Sequence, residues 1–390
     1  MGRMSPGGLR VVMFTPWRER CGIREYSQHL IAGLRALPEI GDVRIVEAPS
    51  DPARGALTAL RRFSSDARRW QALGREMNAG PDGQPADVAH VQHQYFFFGG
   101  VAPHKNHARA FLDAVRVPLV MTVHEIARPA PNAPALERHA IALTNRANFL
   151  HPALRQLIAH TEPDRQALMA LGAAPERVHV MMHPVPPALP MPPSEEARRA
   201  LGLEGKRVVT LFGFLSARKG HFLALAALRE LPADVALLFA GDRHPDDHTD
   251  YVSRLRAQIT ADGLEDRVVI TGFLPDAQIP AVMAATDVAI APFTQSSGSG
   301  SLTYLLAYAR PIVASDIPPN QEIVQDTPGC LALFPSSDAD ALAAQIHSLL
   351  DDPARRLALE AAARTFGDRH SYLQMARDTA ALYALARQHG

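Results

Sequence analysis

Residues 292–316, PFTQSSGSGSLTYLLAYARPIVASD, read as a strand end, a glycine-serine loop, an apolar helix and a second short buried strand. A loop of this kind aims several backbone N–H groups and the positive end of a helix at one small volume, which suits a phosphate group. A related element precedes it. In residues 207–220, RVVTLFGFLSARKG, a β-rich run ends at Gly213 and two adjacent cations, Arg218 and Lys219, are expected to open the next helix. Cations placed there suit a diphosphate leaving group, because they neutralise the charge that grows as the bond to it breaks. An isolated RKG reads more readily as a solvated helix start. Two such elements in this order favour the phosphate reading.

Working outward, short apolar β-type runs alternate with helical patterns along the whole chain. Strands are expected over 10–15, 43–48, 87–92, 118–123, 157–160 and 177–181, then over 208–212, 235–240, 268–271, 288–291 and 312–314. Such alternation means right-handed βαβ units, parallel sheets and helices on both faces. At 390 residues the chain exceeds what one core usually supports. The proline-rich stretch 183–193, HPVPPALPMPP, forbids a continuing helix and reads as the connection between two doubly wound domains. Facing one another, such domains take ligands at the carboxyl ends of their strands, so the residues just after each strand are the ones to question.

After the first strand, TPWRERCGIREYSQHL places Gly22 ahead of a helix with apolar Ile23, Tyr26, Leu30, Ile31 and Leu34. The glycine either admits a ligand to the backbone or eases a turn. No GxGxxG stands there, which argues against an ordinary NAD-dependent dehydrogenase. After the third strand, HVQHQYFFFGG brings His90, His93, Gln94 and Tyr95 beside three phenylalanines, a pattern open to both an acceptor-binding and a core reading. No further ligand follows at metal spacing. After the fourth strand come His124 and Glu125, and GDRHPDDHTD after 235–240 reads as a surface loop turning at Gly241.

The 40 Lys and Arg balance 40 Asp and Glu, with 22 against 16 through residue 190 and the acidic excess beyond it. Neutrality without basic-aromatic alternation argues against nucleic acid. Two distant cysteines, Cys21 and Cys330, make no disulfide framework and fit a reducing cytoplasm. The N-terminus lacks a signal-peptide pattern and no stretch reaches the length of a membrane span. Residues 54–76 carry six arginines interleaved with Leu57, Leu60, Phe63, Trp70 and Leu73. That basic amphipathic pattern fits either a solvated surface helix or peripheral contact with anionic lipid on the inner face of the cell membrane.

Taken together, CGIREY, HVQHQYFFFGG, TVHE, GFLSARKG, TGFLPDAQIPAVMAATDVAIAPF and SGSGSLTYLLAYARPIVASD resemble a retaining glycosyltransferase of the GT-B fold, similar to glycosyltransferase family 4 (group 1). The resemblance covers nearly the whole chain. It implies an acceptor-side domain over 1–186 with a crossing C-terminal helix over 372–390, and a nucleotide-sugar domain over 187–371. It implies catalytic roles for His124, Arg218 and Lys219, and donor binding by Gly22, Gly213, Gly298, Ser299, Gly300, Ser301 and Glu322. His93, Gln94 and Tyr95 fall on the acceptor side. No cofactor or metal is implied; the donor is a nucleotide-diphosphate sugar and the acceptor a saccharide or lipid-linked saccharide. One departure stands out: where the family usually carries two glutamates eight positions apart, this chain has Ser296 and Tyr304. A nucleotide-sugar-binding subunit without turnover and a sugar-nucleotide epimerase are the alternatives on the same fold.

Overall fold

The computed structural model describes residues 8–18, 21–49, 66–243, 249–294 and 300–388. The chain divides into two compact units, one of residues 1–182 with 372–390 and one of residues 183–371. Each is built on a six-stranded sheet in which every pairing is parallel.

In the first unit the strands are β1 (Leu9–Thr15), β2 (Ile40–Glu47), β3 (Val88–His93), β4 (Leu119–Val123), β5 (Leu154–Ala159) and β6 (Val178–Val180), in the order β2-β1-β3-β4-β5-β6. Alternate residues of β1 enter two cores: Val12 and Phe14 pack with Trp70, Phe98 and Phe111, while Val11 and Met13 pack with Tyr26, Leu30 and Tyr383. A parallel strand buried on both faces must be apolar throughout, which is why VVMF reads as a continuous run. The C-terminal helix, Tyr372–Gln388, belongs to the second of these cores through Met375, Ala376, Tyr383 and Ala386.

The second unit carries β7 (Arg207–Phe212), β8 (Val235–Ala240), β9 (Val268–Ile270), β10 (Val288–Ala291), β11 (Ile312–Ser315) and β12 (Ala332–Phe334), in the order β12-β11-β10-β7-β8-β9. The strand order reverses direction between β7 and β10, the place where doubly wound sheets open a crevice for ligands. The three-residue strand β12 has no counterpart in the sequence reading. Residues 183–193 run alongside the second unit, with the Val185 N–H donating to the His370 carbonyl at 2.8 Å and the Leu189 N–H to the Tyr308 hydroxyl at 3.2 Å.

One device fastens both sheets. Asp87 precedes β3, accepts from the Arg10 N–H at 2.9 Å through its carboxylate, and returns its own N–H to the Arg10 carbonyl at 2.9 Å. Asp287 precedes β10 and does the same to Val208, at 2.7 and 2.9 Å. Each aspartate also holds an arginine: Arg10 Nε at 3.0 Å in the first unit and Arg198 at 2.7 Å in the second. These carboxylates complete the first rung between a unit's opening strand and its neighbour across the reversal. Burial alone would raise the Asp87 carboxyl, but the Arg10 hydrogen bonds and charge outweigh it and hold it below the usual range. A carboxylate with a depressed pKa contributes stability above its unfolded value and loses it as pH falls through the folded one. Asp87→Asn is therefore expected to destabilise the chain by about 2 kcal/mol at neutral pH. In urea melts the gap to wild type closes as pH drops below 3.8, the ordinary value for the group.

Candidate functional site

At the reversal in the second unit the ends of β7, β8 and β10 converge with the helix Gly300–Ala307. Gly213, just past β7, has φ +114°, and a Cβ there would overlap the Ser301 hydroxyl. A Cβ on Gly241, past β8, would strike the Gly213 carbonyl. Backbone therefore takes the room that side chains would need. Beside this packed backbone stands Lys219, whose ammonium donates to Ser301 Oγ at 3.0 Å and lies 3.8 Å from the centroid of the Phe293 ring.

The two cations do not open a helix. Ala217–Lys219 form a 3₁₀ turn that ends at Gly220 with φ +77°, and the following helix is His221–Arg229. The left-handed glycine resets the chain direction, which the sequence alone does not show. Lys219 is turned inward while Arg218 is exposed. Burial and then the Arg218 charge push the Lys219 ammonium down to about 7. Gly300 is exposed at the head of its helix beside Ser301, and Glu322 is half-buried in Pro318–Asp326, the helix after β11. Gly298, Ser299 and Ser296 lie outside the described residues. Tyr304 stacks obliquely on Phe212, with ring centroids 5.5 Å apart.

In the first unit a polar chain runs through the sheet. Tyr383 OH lies 2.7 Å from His90 Nδ1, and His90 Nε2 lies 2.8 Å from the Thr122 hydroxyl. The Gln92 amide nitrogen approaches His90 Nε2 at 3.4 Å, while Gln92 Oε1 takes the His124 Nε2–H at 2.8 Å. That bond fixes the His124 tautomer. His124, half-buried, is further framed by the edge-on ring of Tyr26 at 4.9 Å and by His160 at 5.2 Å. Desolvation drives His90 down to about 3 and lowers His160 against the opposing Met181 carbonyl and Asp164 charge.

Two of the residues expected on the acceptor side are buried. His93 and Tyr95 are core residues, both at or below 2% exposure. His93 stacks on Phe98, bonds Asn148 at 3.0 Å and is pushed down to about 3 by burial. The Tyr95 hydroxyl is spent on Asn145 and the Ala127 N–H. Gln94 is half-buried and donates to the exposed Glu125 at 2.7 Å. Of the three phenylalanines, Phe97 and Phe98 are core and Phe96 is exposed. Gly22 is an exposed first helical residue whose Cβ position meets nothing within 4 Å, so no tight turn requires it. Sequence reasoning gave no site role to Gln92, Tyr26 or Phe293; Gln92 and Phe293 were marked only by their strand-end positions and Tyr26 only as an apolar residue of the first helix.

The family of glycosyl transferases group 1 matches residues 193–366, and Glycosyltransferase Family 4 matches residues 4–189. The chain belongs to glycosyltransferase family 4/group 1, with the GT-B fold. A 2-deoxystreptamine glucosyltransferase of Streptomyces kanamyceticus is 30% identical over 257 residues, 63% of this chain and 64% of that protein. A lipopolysaccharide core biosynthesis mannosyltransferase, LpcC, of Rhizobium leguminosarum bv. viciae is 29% identical over 238 residues, 57% and 66% of the two chains. The chain thus spans just under two thirds of the length of these relatives. Anabaena HepE in complex with UDP-glucose superposes with a TM-score of 0.72 at 19% identity, over 96% of this chain and 99% of that one, which establishes the shared fold.

No described helix of this family member is long and apolar enough to cross a membrane. Residues 54–65 of the basic amphipathic stretch fall outside the described residues. The described remainder, Asp66–Glu76, exposes Arg68, Arg69 and Arg75 but turns Trp70 and Leu73 into the core, so its apolar face is already covered by protein. Among the described residues no cluster of three or more His, Cys, Asp or Glu is placed to hold a metal ion.

Lys219 links the site to stability. Its folded pKa of about 7 lies below the ordinary 10.5, so between these values the unfolded chain binds more protons and stability rises with pH. Lys219→Met removes that linkage. The variant is expected to melt a few degrees higher than wild type at neutral pH, with the difference shrinking in calorimetric scans as pH approaches 10.5.

Proposed function

We propose that the protein is a glycosyltransferase that moves a sugar from a nucleotide-diphosphate sugar to a saccharide or lipid-linked saccharide, with retention and without a metal ion. The carrying observation is the close approach of glycine backbone at the end of β7, where Lys219 is held between Ser301 and Phe293 with Arg218 beside it. A diphosphate is a group whose charge and need for close backbone approach suit such a place. The relatives named above are transferases of glucose and mannose, and the HepE neighbour is described with UDP-glucose, which supports a nucleotide-sugar donor.

In the reaction the bond between the anomeric carbon and the diphosphate oxygen breaks, and its electron pair leaves with the diphosphate. Lys219, Arg218 and the N-terminal amides of Gly300–Ala307 stabilise that growing charge, the largest single electrostatic demand of the step. The acceptor hydroxyl bonds to the same face of the sugar and passes its proton to the departing diphosphate oxygen. His124, its tautomer set by Gln92, orients the sugar through its ring. A second reading, a nucleotide-sugar-binding subunit without turnover, draws on the aromatic Tyr304 in a place where relatives of this type usually have an acid.

The test is a thermal-shift screen with UDP, GDP, ADP and their common sugar conjugates, followed by a transfer and hydrolysis assay with the responding donor. One nucleotide is expected to raise the melting temperature by mass action, and Lys219→Ala to abolish that rise and lower kcat/KM about a hundredfold or more. Absence of a shift with every nucleotide would overturn the donor assignment. Binding without transfer or hydrolysis would move the protein to the second reading.

A further inference from the structure

The three residues that follow β10 run antiparallel against the cationic turn. Thr294 donates its N–H to the Arg218 carbonyl at 3.0 Å. Phe293 lays its ring 3.8 Å from the Lys219 ammonium. The Pro292 carbonyl packs so closely on Gly220 that a Cβ there would overlap it. One residue of β10's end thus matches one residue of the turn at each step, and Phe293 itself is 2% exposed, fixed in place by the core. We propose that Phe293 is a positioning residue: its ring face carries the Lys219 ammonium and aims it at the donor diphosphate. This inference rests on the diphosphate reading of the site.

The physical case is one of competition. An ammonium withdrawn from water loses hydration, and a neighbouring cation repels it. The charged and titratable groups facing Lys219 among the described residues are Arg218 on its own turn and His221 on the following helix; β10 and the helix Gly300–Ala307 present Phe293 and Ser301. His221 is fully buried and held near 3, so it stays neutral and adds no charge. Within this group the negative face of an aromatic ring favours the cation, and does so more strongly where water is excluded. A leucine in the same place would fill the volume and supply none of that attraction. The Lys219 ammonium, pushed down to about 7, stands where a modest change in its surroundings alters how much of it is charged.

The experiment is calorimetric titration of UDP and of GDP into the full-length protein and its Phe293→Leu, Phe293→Tyr and Lys219→Ala variants, from about pH 7 to 9, where a terminal phosphate is already ionised. The expected result is that wild type binds one nucleotide and Phe293→Tyr binds it within about twofold. Phe293→Leu is expected to bind about tenfold more weakly, with its affinity falling off at lower pH than wild type's. A merely structural role would not move that pH profile. If Phe293→Leu binds like wild type across the range while Lys219→Ala has lost binding, the inference is overturned and the diphosphate reading stands. If wild type binds neither nucleotide, the reading and the inference fall together. Should Phe293→Leu fail to fold, trifluorophenylalanine at position 293 keeps the ring's shape and weakens its negative face; it is expected to lower affinity by several-fold, and unchanged affinity would overturn the proposal.

Discussion

The second unit is organised around a place where no side chain fits. Gly213 sits at φ +114° with its open side against Ser301, and Gly241 has the Gly213 carbonyl where a Cβ would be. Because these two positions carry only backbone, the ends of β7 and β8 and the helix Gly300–Ala307 approach one another more closely than ordinary residues allow. The surface that results is poor in side-chain bulk and carries directed backbone dipoles. An anion gains most from such a surface, since helix-terminal amides and a half-buried ammonium act there with less screening than in open water. The strand-order reversal between β7 and β10 puts this surface where a parallel sheet offers room.

The first unit uses the equivalent region differently. Instead of glycines it fills the sheet with a run of hydrogen-bonded polar groups from Tyr383 through His90, Thr122 and Gln92 to His124. Buried polar groups are costly unless paired, so such a chain is tolerated only when its members satisfy one another. Its consequence is rigidity. His124 is held by Gln92 and by the edge of Tyr26, while Tyr26 in turn reaches Met375 of the C-terminal helix at 2.9 Å. The orientation of one imidazole is thereby tied to the docking of a helix from the far end of the chain.

Much of this was legible in the sequence because parallel strands leave little freedom. Runs such as VALLFA over β8 and VAIA over β10 are apolar at every position, as burial on both faces demands, and their bounds emerge without a structure. The repeated Asp-Val-Ala that opens β3 and β10 even records the shared strand-fastening device. Other features were not legible. Whether His93 or Tyr95 faces solvent depends on which side of the sheet the aromatic neighbours fill, and Phe98 and Phe149 close that side. The turn around Lys219 escaped because a glycine after two cations fits a helix start as well as a left-handed reset. Phe293 escaped because its partner lies on another strand's loop, and an aromatic at a strand end carries no mark of the cation above it.

Lys219 shows why the site conflicts with the stability of the fold that contains it. Desolvation and the Arg218 charge both disfavour its protonated form, so the fold holds a cation there at a free-energy cost. Interactions with Ser301 and Phe293 work against that cost. A doubly charged diphosphate would reverse the balance by supplying the opposite charge at short range in a poorly hydrated volume. A charge placed at such a cost is preorganised: the protein meets that cost during folding, before any anion arrives. The depressed lysine and the tight glycine backbone act together, because looser packing would admit water, rehydrate the ammonium and weaken its attraction for an anion.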